Sequence, residues 1–120
     1  VNIPAEMIHY GMTKTAQIAV ARGLAELSAG TNVTVNTVLA GPTRSEGVEV
    51  FLNNLAAAKQ TNISALEKEF FASVRPSSLL KRFEKPEEVA AMVAYVCGEP
   101  ASATNGAALR ADGGVVRSVL

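Results

Sequence analysis

The sequence predicts an α/β chain built around a parallel sheet. Three observations lead there. Apolar residues recur with a helical period over residues 4–29, and a β-branched run fills residues 32–39. A further helical pattern separates that run from a second short strand at residues 107–111. A strand, a crossover helix and another strand imply parallel pairing with a right-handed connection. Two parallel strands cannot cover both sheet faces, so the pattern demands more sheet than these 120 residues contain.

Each element has its own local reason. In the first helix Ala16, Ala19, Val20, Gly23, Leu24 and Leu27 form the stripe of a buried face. Tyr10, Thr13, Lys14 and Gln17 form a second, polar stripe, and Gly30 is placed to end the helix in a left-handed cap. The strand at residues 32–39 is broken by Gly41-Pro42. Residues 45–78 read as two helical pieces joined near Thr61-Asn62, with Val48, Phe51, Leu52 and Leu55 on the first. The second carries Leu66, Phe70, Phe71 and Val74 and stops at Pro76. Lys85-Pro86-Glu87-Glu88 opens the last helix: proline suits the first helical position, and the glutamates favour the positive end of the helix dipole. Its stripe is Val89, Met92, Val93 and Val96, ending near Gly98, and the final strand closes at Asp112-Gly113-Gly114.

Composition narrows the partners. Eleven basic and eleven acidic residues leave no net charge, so nothing marks a surface for nucleic acid or an anionic membrane. No apolar run approaches the roughly 20 residues that a membrane span needs. The single cysteine, Cys97, excludes an internal disulfide framework and fits a reducing, cytoplasmic setting. A chain that starts at Val1 and reaches a motif within ten residues is expected to have been trimmed, cut or left partly unresolved. No metal site is expected.

The chemistry is concentrated in Tyr10-Gly11-Met12-Thr13-Lys14. Tyr-x-x-x-Lys sets a phenol and an ammonium one helical turn apart on one face. The cation favours the phenolate, which suits proton exchange near neutral pH. With three later landmarks in order, the chain resembles the C-terminal half of a short-chain dehydrogenase/reductase. Those landmarks are residues 35–43 (Val-Asn-Thr-Val-Leu-Ala-Gly-Pro-Thr), Pro86-Glu87-Glu88-Val89-Ala90, and Gly106 with Asp112-Gly113-Gly114.

The resemblance implies the C-terminal part of a doubly wound, Rossmann-like parallel-sheet fold. Residues 1–120 would be the back half of one NAD(P)-binding domain, with a substrate-loop excursion at about 45–80 and the N-terminal half absent. It implies an oxidoreductase that moves a hydride between NAD or NADP and a carbonyl or secondary alcohol of a small-molecule substrate. Tyr10 would be the acid/base, and Lys14 would assist it and bind the nicotinamide ribose. Gly41, Pro42 and Thr43 would meet the nicotinamide. Ala40 stands where the family usually has proline. Pro42 has no N–H, so a backbone donor for the carboxamide must come from a neighbour such as Thr43. Asn36 matches a structural position at the strand end. The family's glycine-rich turn, catalytic serine and catalytic asparagine lie further upstream than the nine residues before Tyr10 allow, and Asn2 replaces neither. These residues alone are therefore expected to be inactive.

Plainer readings stand beside these. His9 reads as a helix-surface residue, since adjacent helix positions diverge by about 100°. Cys97 reads as inert packing, Glu67-Lys68-Glu69 as a solvated face, and Asp112-Gly113-Gly114 as turn chemistry. Phe51, Phe70 and Phe71 could line a substrate pocket or hold the excursion on the core. Two other functions compete with the enzyme: an inactive truncated remnant or assembly module of the same fold, and a small helical binding module. Small residues such as Ala21 and Ala25 would permit close helix–helix contact, and the resemblance implies a homodimer or homotetramer. A missing segment is expected to complete the sheet beside residues 32–39.

Overall fold

The structure, a computed structural model, describes residues 3–119. Val1 and Asn2 lie outside the described residues, so the reading of Asn2 is not addressed by them. The element order is a 3₁₀ turn at Ala5–Met7, α1 (Ile8–Leu27), β1 (Thr37–Ala40), α2 (Glu46–Ala58), α3 (Ile63–Ser73), α4 (Pro86–Cys97), a 3₁₀ turn at Glu99–Ala101 and β2 (Ala108–Ala111). β1 and β2 pair directly. Their bonds run from Thr37 N–H to Ala107 O and from Gly41 N–H to Ala111 O, so the register advances the same way on both strands. That is the parallel sheet expected from the helix between them.

The chain divides into two compact units. The first comprises Val1–Leu39 and Ala91–Arg110. Here α1 ends at Ser28, and Gly30 takes the left-handed conformation (φ 74°) that its position predicts. Ser28 Oγ then accepts a bond from Asn105 Nδ2 at 3.2 Å, which ties the helix end to the loop before β2. Asn105 Oδ1 accepts the Val35 N–H at 2.8 Å, and Gly106 N–H donates to Val35 O. Asn36 adds a second stitch: its Nδ2 donates to Thr104 O and its Oδ1 accepts the Ala107 N–H.

Those stitches correct the strand limits. The expected run at residues 32–39 begins as β1 only at Thr37, because the Asn105 amide takes the Val35 N–H and the Asn36 amide takes the Ala107 N–H, interrupting the regular ladder. Asn36 is structural, as its position at the strand end suggested.

The stripe on α1 needs a larger correction. Val20 is 61% exposed and Leu27 81%, and nothing lies within 4 Å of a Cβ built on Gly23. The face turned inward within this unit is Ile18, Ala21, Ala25 and Ser28. Ile18, Ala21 and Arg22 line a cavity of about 220 Å³ with Val35, Thr37 and residues 106–108. Gly106 lies so close that an added Cβ would stand 3.1 Å from Arg22 Nη1 and 3.4 Å from Ala25 Cβ. The small side of α1, expected to meet another helix, therefore packs toward the strand ends, and the larger apolar side is open. Both sides carry an i, i+3, i+4 pattern, so periodicity alone could not rank them. Cys97 is likewise exposed rather than packed.

The second unit comprises Ala40–Ala90 and Ala111–Leu120 and holds the main apolar core. Leu52, Ala56, Leu66, Phe71 and Phe83 form it, with Val48, Leu55, Ile63 and Phe70 against them. Phe70, Phe71 and Phe83 meet pairwise at centroid separations of 5.0–5.2 Å, within the range of favourable ring contacts. Phe71 is 2% exposed. Of the three phenylalanines in question, Phe70 and Phe71 thus hold the excursion together, while Phe51 is exposed.

The helices of the excursion start on side-chain caps. Ser45 Oγ accepts the Val48 N–H for α2, and Asn62 Oδ1 accepts the Ala65 N–H at 2.9 Å for α3. Glu67 departs from the solvated-face reading: its Oε1 accepts the Phe83 N–H at 2.8 Å. At the start of α4, Glu88 reaches back to the Lys85 N–H at 2.7 Å, the glutamate half of a capping box. Arg82 grips the same carboxylate with both guanidinium nitrogens, at 2.8 and 2.7 Å.

Candidate functional site

Tyr10 and Lys14 lie in the first turns of α1, one turn apart. The 3₁₀ turn at Ala5–Met7, closed by Met7 N–H on Pro4 O, delivers the chain into that helix. No side chain caps the helix start, and two threonine hydroxyls bond back to carbonyls of its first turn. Thr13 Oγ1 donates to Tyr10 O and Thr15 Oγ1 to Gly11 O, both at 2.8 Å. The Lys14 Nζ stands 5.5 Å from the centroid of the Tyr10 ring, within cation–π reach. Tyr10 is 49% exposed and Lys14 is also exposed, so both polar tips are open to a ligand. His9, on the neighbouring position, is exposed on the helix surface. The arrangement can present a phenolic proton and a positive charge side by side.

Gly41, Pro42 and Thr43 belong to the second unit, directly after β1. A Cβ on Gly41 would fall 2.7 Å from the Asp112 backbone, so only glycine lets the two chains run this close. Thr43 pairs with Glu84 in an isolated parallel bridge. Glu84 N–H donates to Pro42 O and Arg44 N–H to Glu84 O, each at 2.8 Å. A parallel rung uses the carbonyl before and the N–H after the bridged residue, which turns the N–H of Thr43 to the other side of the segment. The Thr43 hydroxyl donates to Gly41 O at 3.0 Å. Pro42 offers no N–H, and the Thr43 N–H is the backbone donor turned away from the rung.

Asp112-Gly113-Gly114 behaves as turn chemistry. Asp112 Oδ1 accepts the Gly114 N–H and Oδ2 the Val116 N–H, while both glycines sit at positive φ (60° and 76°).

One residue of this region escaped the sequence reading. Glu84 is 3% exposed, and neither carboxyl oxygen has a hydrogen-bond partner. Burial pushes its carboxyl above the ordinary range, with Asp112 and Glu88 adding to the rise and the Gly41 backbone and Arg82 opposing it. No spacing signal separates Glu84 from Glu87 or Glu88 in the sequence; only the fold does.

Among the described residues no group of three or more His, Cys, Asp or Glu side chains is placed to hold a metal ion. No described helix is long and apolar enough to cross a membrane.

Comparison with known proteins adds ancestry to this geometry. A family model described as enoyl-(acyl carrier protein) reductase matches residues 1–116. The chain is 51% identical over 114 residues to the uncharacterized oxidoreductase YvaG of Bacillus subtilis (strain 168), covering 95% of this chain and 43% of that protein. Among solved structures it is similar to YwfH, an NADPH-dependent reductase involved in bacilysin biosynthesis. That match has a TM-score of 0.71 at 28% identity and covers 90% of this chain and 39% of the other. It shares the fold of L-sorbose reductase from Gluconobacter frateurii, complexed with NADPH and L-sorbose. There the TM-score is 0.81 at 24% identity, over 92% of this chain and 41% of that one. The chain therefore spans less than half the length of the relatives it matches.

Proposed function

The chain belongs to the short-chain dehydrogenase/reductase family, and from that premise we propose that it supplies the proton-transfer side of an NAD(P)-dependent oxidoreductase. The substrate class is a small molecule bearing a carbonyl or a secondary alcohol. The observation that carries this reading is the pair on α1: Tyr10 and Lys14 one turn apart, both open, with the ammonium 5.5 Å from the ring centroid.

In this reading Tyr10 gives its phenolic proton to the carbonyl oxygen during reduction and removes one from the alcohol during oxidation. Lys14 sets a positive charge beside the phenol and would hydrogen-bond the nicotinamide ribose. Gly41, Pro42 and Thr43 border the nicotinamide, with the Thr43 N–H as the donor to its carboxamide. The bound nicotinamide supplies or accepts the hydride. Two solved relatives are named with NADPH, which supports a nicotinamide dinucleotide without choosing between NAD and NADP here. Residues 1–120 then form the back half of one nucleotide-binding domain, and the preceding half carries the phosphate-binding turn.

The test is Tyr10→Phe in the protein that contains both halves. Ring volume and packing persist, so dinucleotide binding should hold while turnover falls by roughly 10²–10⁴-fold. Near-normal turnover in that variant would rule out Tyr10 as the acid/base.

A further inference from the structure

Glu84 has no role in the reaction as proposed, yet it is the one described acidic side chain that is buried with both oxygens unpartnered. A charged carboxylate in such a place is costly, so the surroundings select its neutral form. Its backbone also forms the isolated rung to residues 42–44: Glu84 N–H holds Pro42 O, and Glu84 O holds Arg44 N–H. The carboxyl points into a crowded place, since Oε1 would stand 3.1 Å from a Cβ on Gly113. Gly41 is in turn pressed against the Asp112 backbone, so the segment has little room to absorb a shift of residue 84.

We propose that Glu84 is a positioning residue: neutral, its carboxyl packs quietly and keeps Gly41-Pro42-Thr43 in place; ionised, it must seek water or a donor and drags that segment with it. The groups that face it offer little relief. The Gly41 backbone opposes the rise, but its N–H is already bonded to Ala111 O. Asp112, from the end of β2, already spends its oxygens on the Gly114 and Val116 N–H groups. Glu88, from α4, is another carboxylate, and it occupies the guanidinium of Arg82, the one cation nearby. The direction follows from the sign. The raised carboxyl makes the neutral arrangement secure below the ordinary carboxylate range, and the arrangement is lost as pH rises through the raised value. The consequence for nucleotide binding rests on the proposed role of residues 41–43; the coupling of Glu84 to that segment does not.

The experiment follows the amide resonances of Gly41, Thr43 and Arg44 in the isotope-labelled, full-length protein while pH is raised. In the wild type they should move together with one midpoint above the ordinary carboxylate range. NADP and NAD affinity should fall about tenfold across that step, the equivalent of one pKa unit gained on binding. Glu84→Gln, nearly isosteric and uncharged, should keep the low-pH resonances and remove both effects. Absence of a common titration in the wild type overturns the proposal, and that measurement needs no variant to fold. Persistence of the same titration in Glu84→Gln also overturns it. If the coupling is present but added dinucleotide leaves Gly41 and Thr43 unshifted, the positioning role stands and the nicotinamide assignment of the segment fails.

Discussion

Lys14 carries two duties in the proposed chemistry, and they can be separated from the one duty of Tyr10. Lys14→Ala should weaken dinucleotide binding as well as turnover, whereas Tyr10→Phe should leave binding largely intact. Fluorescence titration of the dinucleotide against both variants checks this; equal binding in Lys14→Ala would remove the lysine from the ribose. A second residue to probe is Glu88, whose carboxyl is held down at about 2 by the Arg82 pair and the Lys85 N–H. A depressed carboxyl stabilises the fold above its ordinary value of 4.5, and that stabilisation is lost as pH falls toward 2. Glu88→Gln should therefore lower the melting temperature at neutral pH, and the difference from wild type should close in strong acid. An unchanged difference across that window would mean that the carboxylate charge is not what stabilises the start of α4.

Caps show how much of the secondary structure was legible and where legibility ended. Pro86 with Glu87-Glu88 announced α4 to the residue, since proline and early acids suit a helix start for reasons that need no tertiary context. The break near Thr61-Asn62 was also visible, and Asn62 Oδ1 on the Ala65 N–H explains it. Asn62→Ala should cost about 0.5–2 kcal/mol, read from urea unfolding of the intact protein. A loss near zero would mean that solvent satisfies the start of α3 equally well. The orientation of α1 was not legible, because two small-to-apolar stripes share its surface and only the loop around Gly106 decides which faces inward. The start of β1 was obscured in the same way by side-chain amides: Asn105, some 70 positions distant, takes the Val35 N–H, and Asn36 takes the Ala107 N–H.

At the scale of the whole molecule, the larger apolar side of α1 lies open. Val20, Leu24 and Leu27 are exposed in this chain, and the relatives it matches are more than twice as long. We expect the full-length protein to be a homodimer or homotetramer, and light scattering that finds only monomers would sink that expectation. We also expect the 120 residues alone to bind no dinucleotide, which calorimetry with NADP and NAD would check. The candidate site was legible only in part. Tyr10 and Lys14 announce themselves because both fall on one helix at a fixed spacing. Glu84 depends on a chain crossing, and a crossing leaves no local pattern.

The clamp at Asn105 bears on how the protein ages. Asparagine followed by glycine is the pair in which a backbone nitrogen most readily attacks the side-chain amide, closing a succinimide that opens to aspartate. Here both reactants are restrained: the amide is bonded at each end, to Val35 N–H and to Ser28 Oγ, and the Gly106 N–H is engaged by Val35 O. The native fold should therefore slow its own chemical decay at this bond, and any excursion that opens the clamp should start it. Each event would release ammonia and leave a carboxylate where an amide donor had been, so the bond to Ser28 Oγ would be lost in that molecule. Peptide mapping of protein kept with and without mild denaturant would reveal it; equal conversion at Asn105 in both would show that the clamp gives no protection.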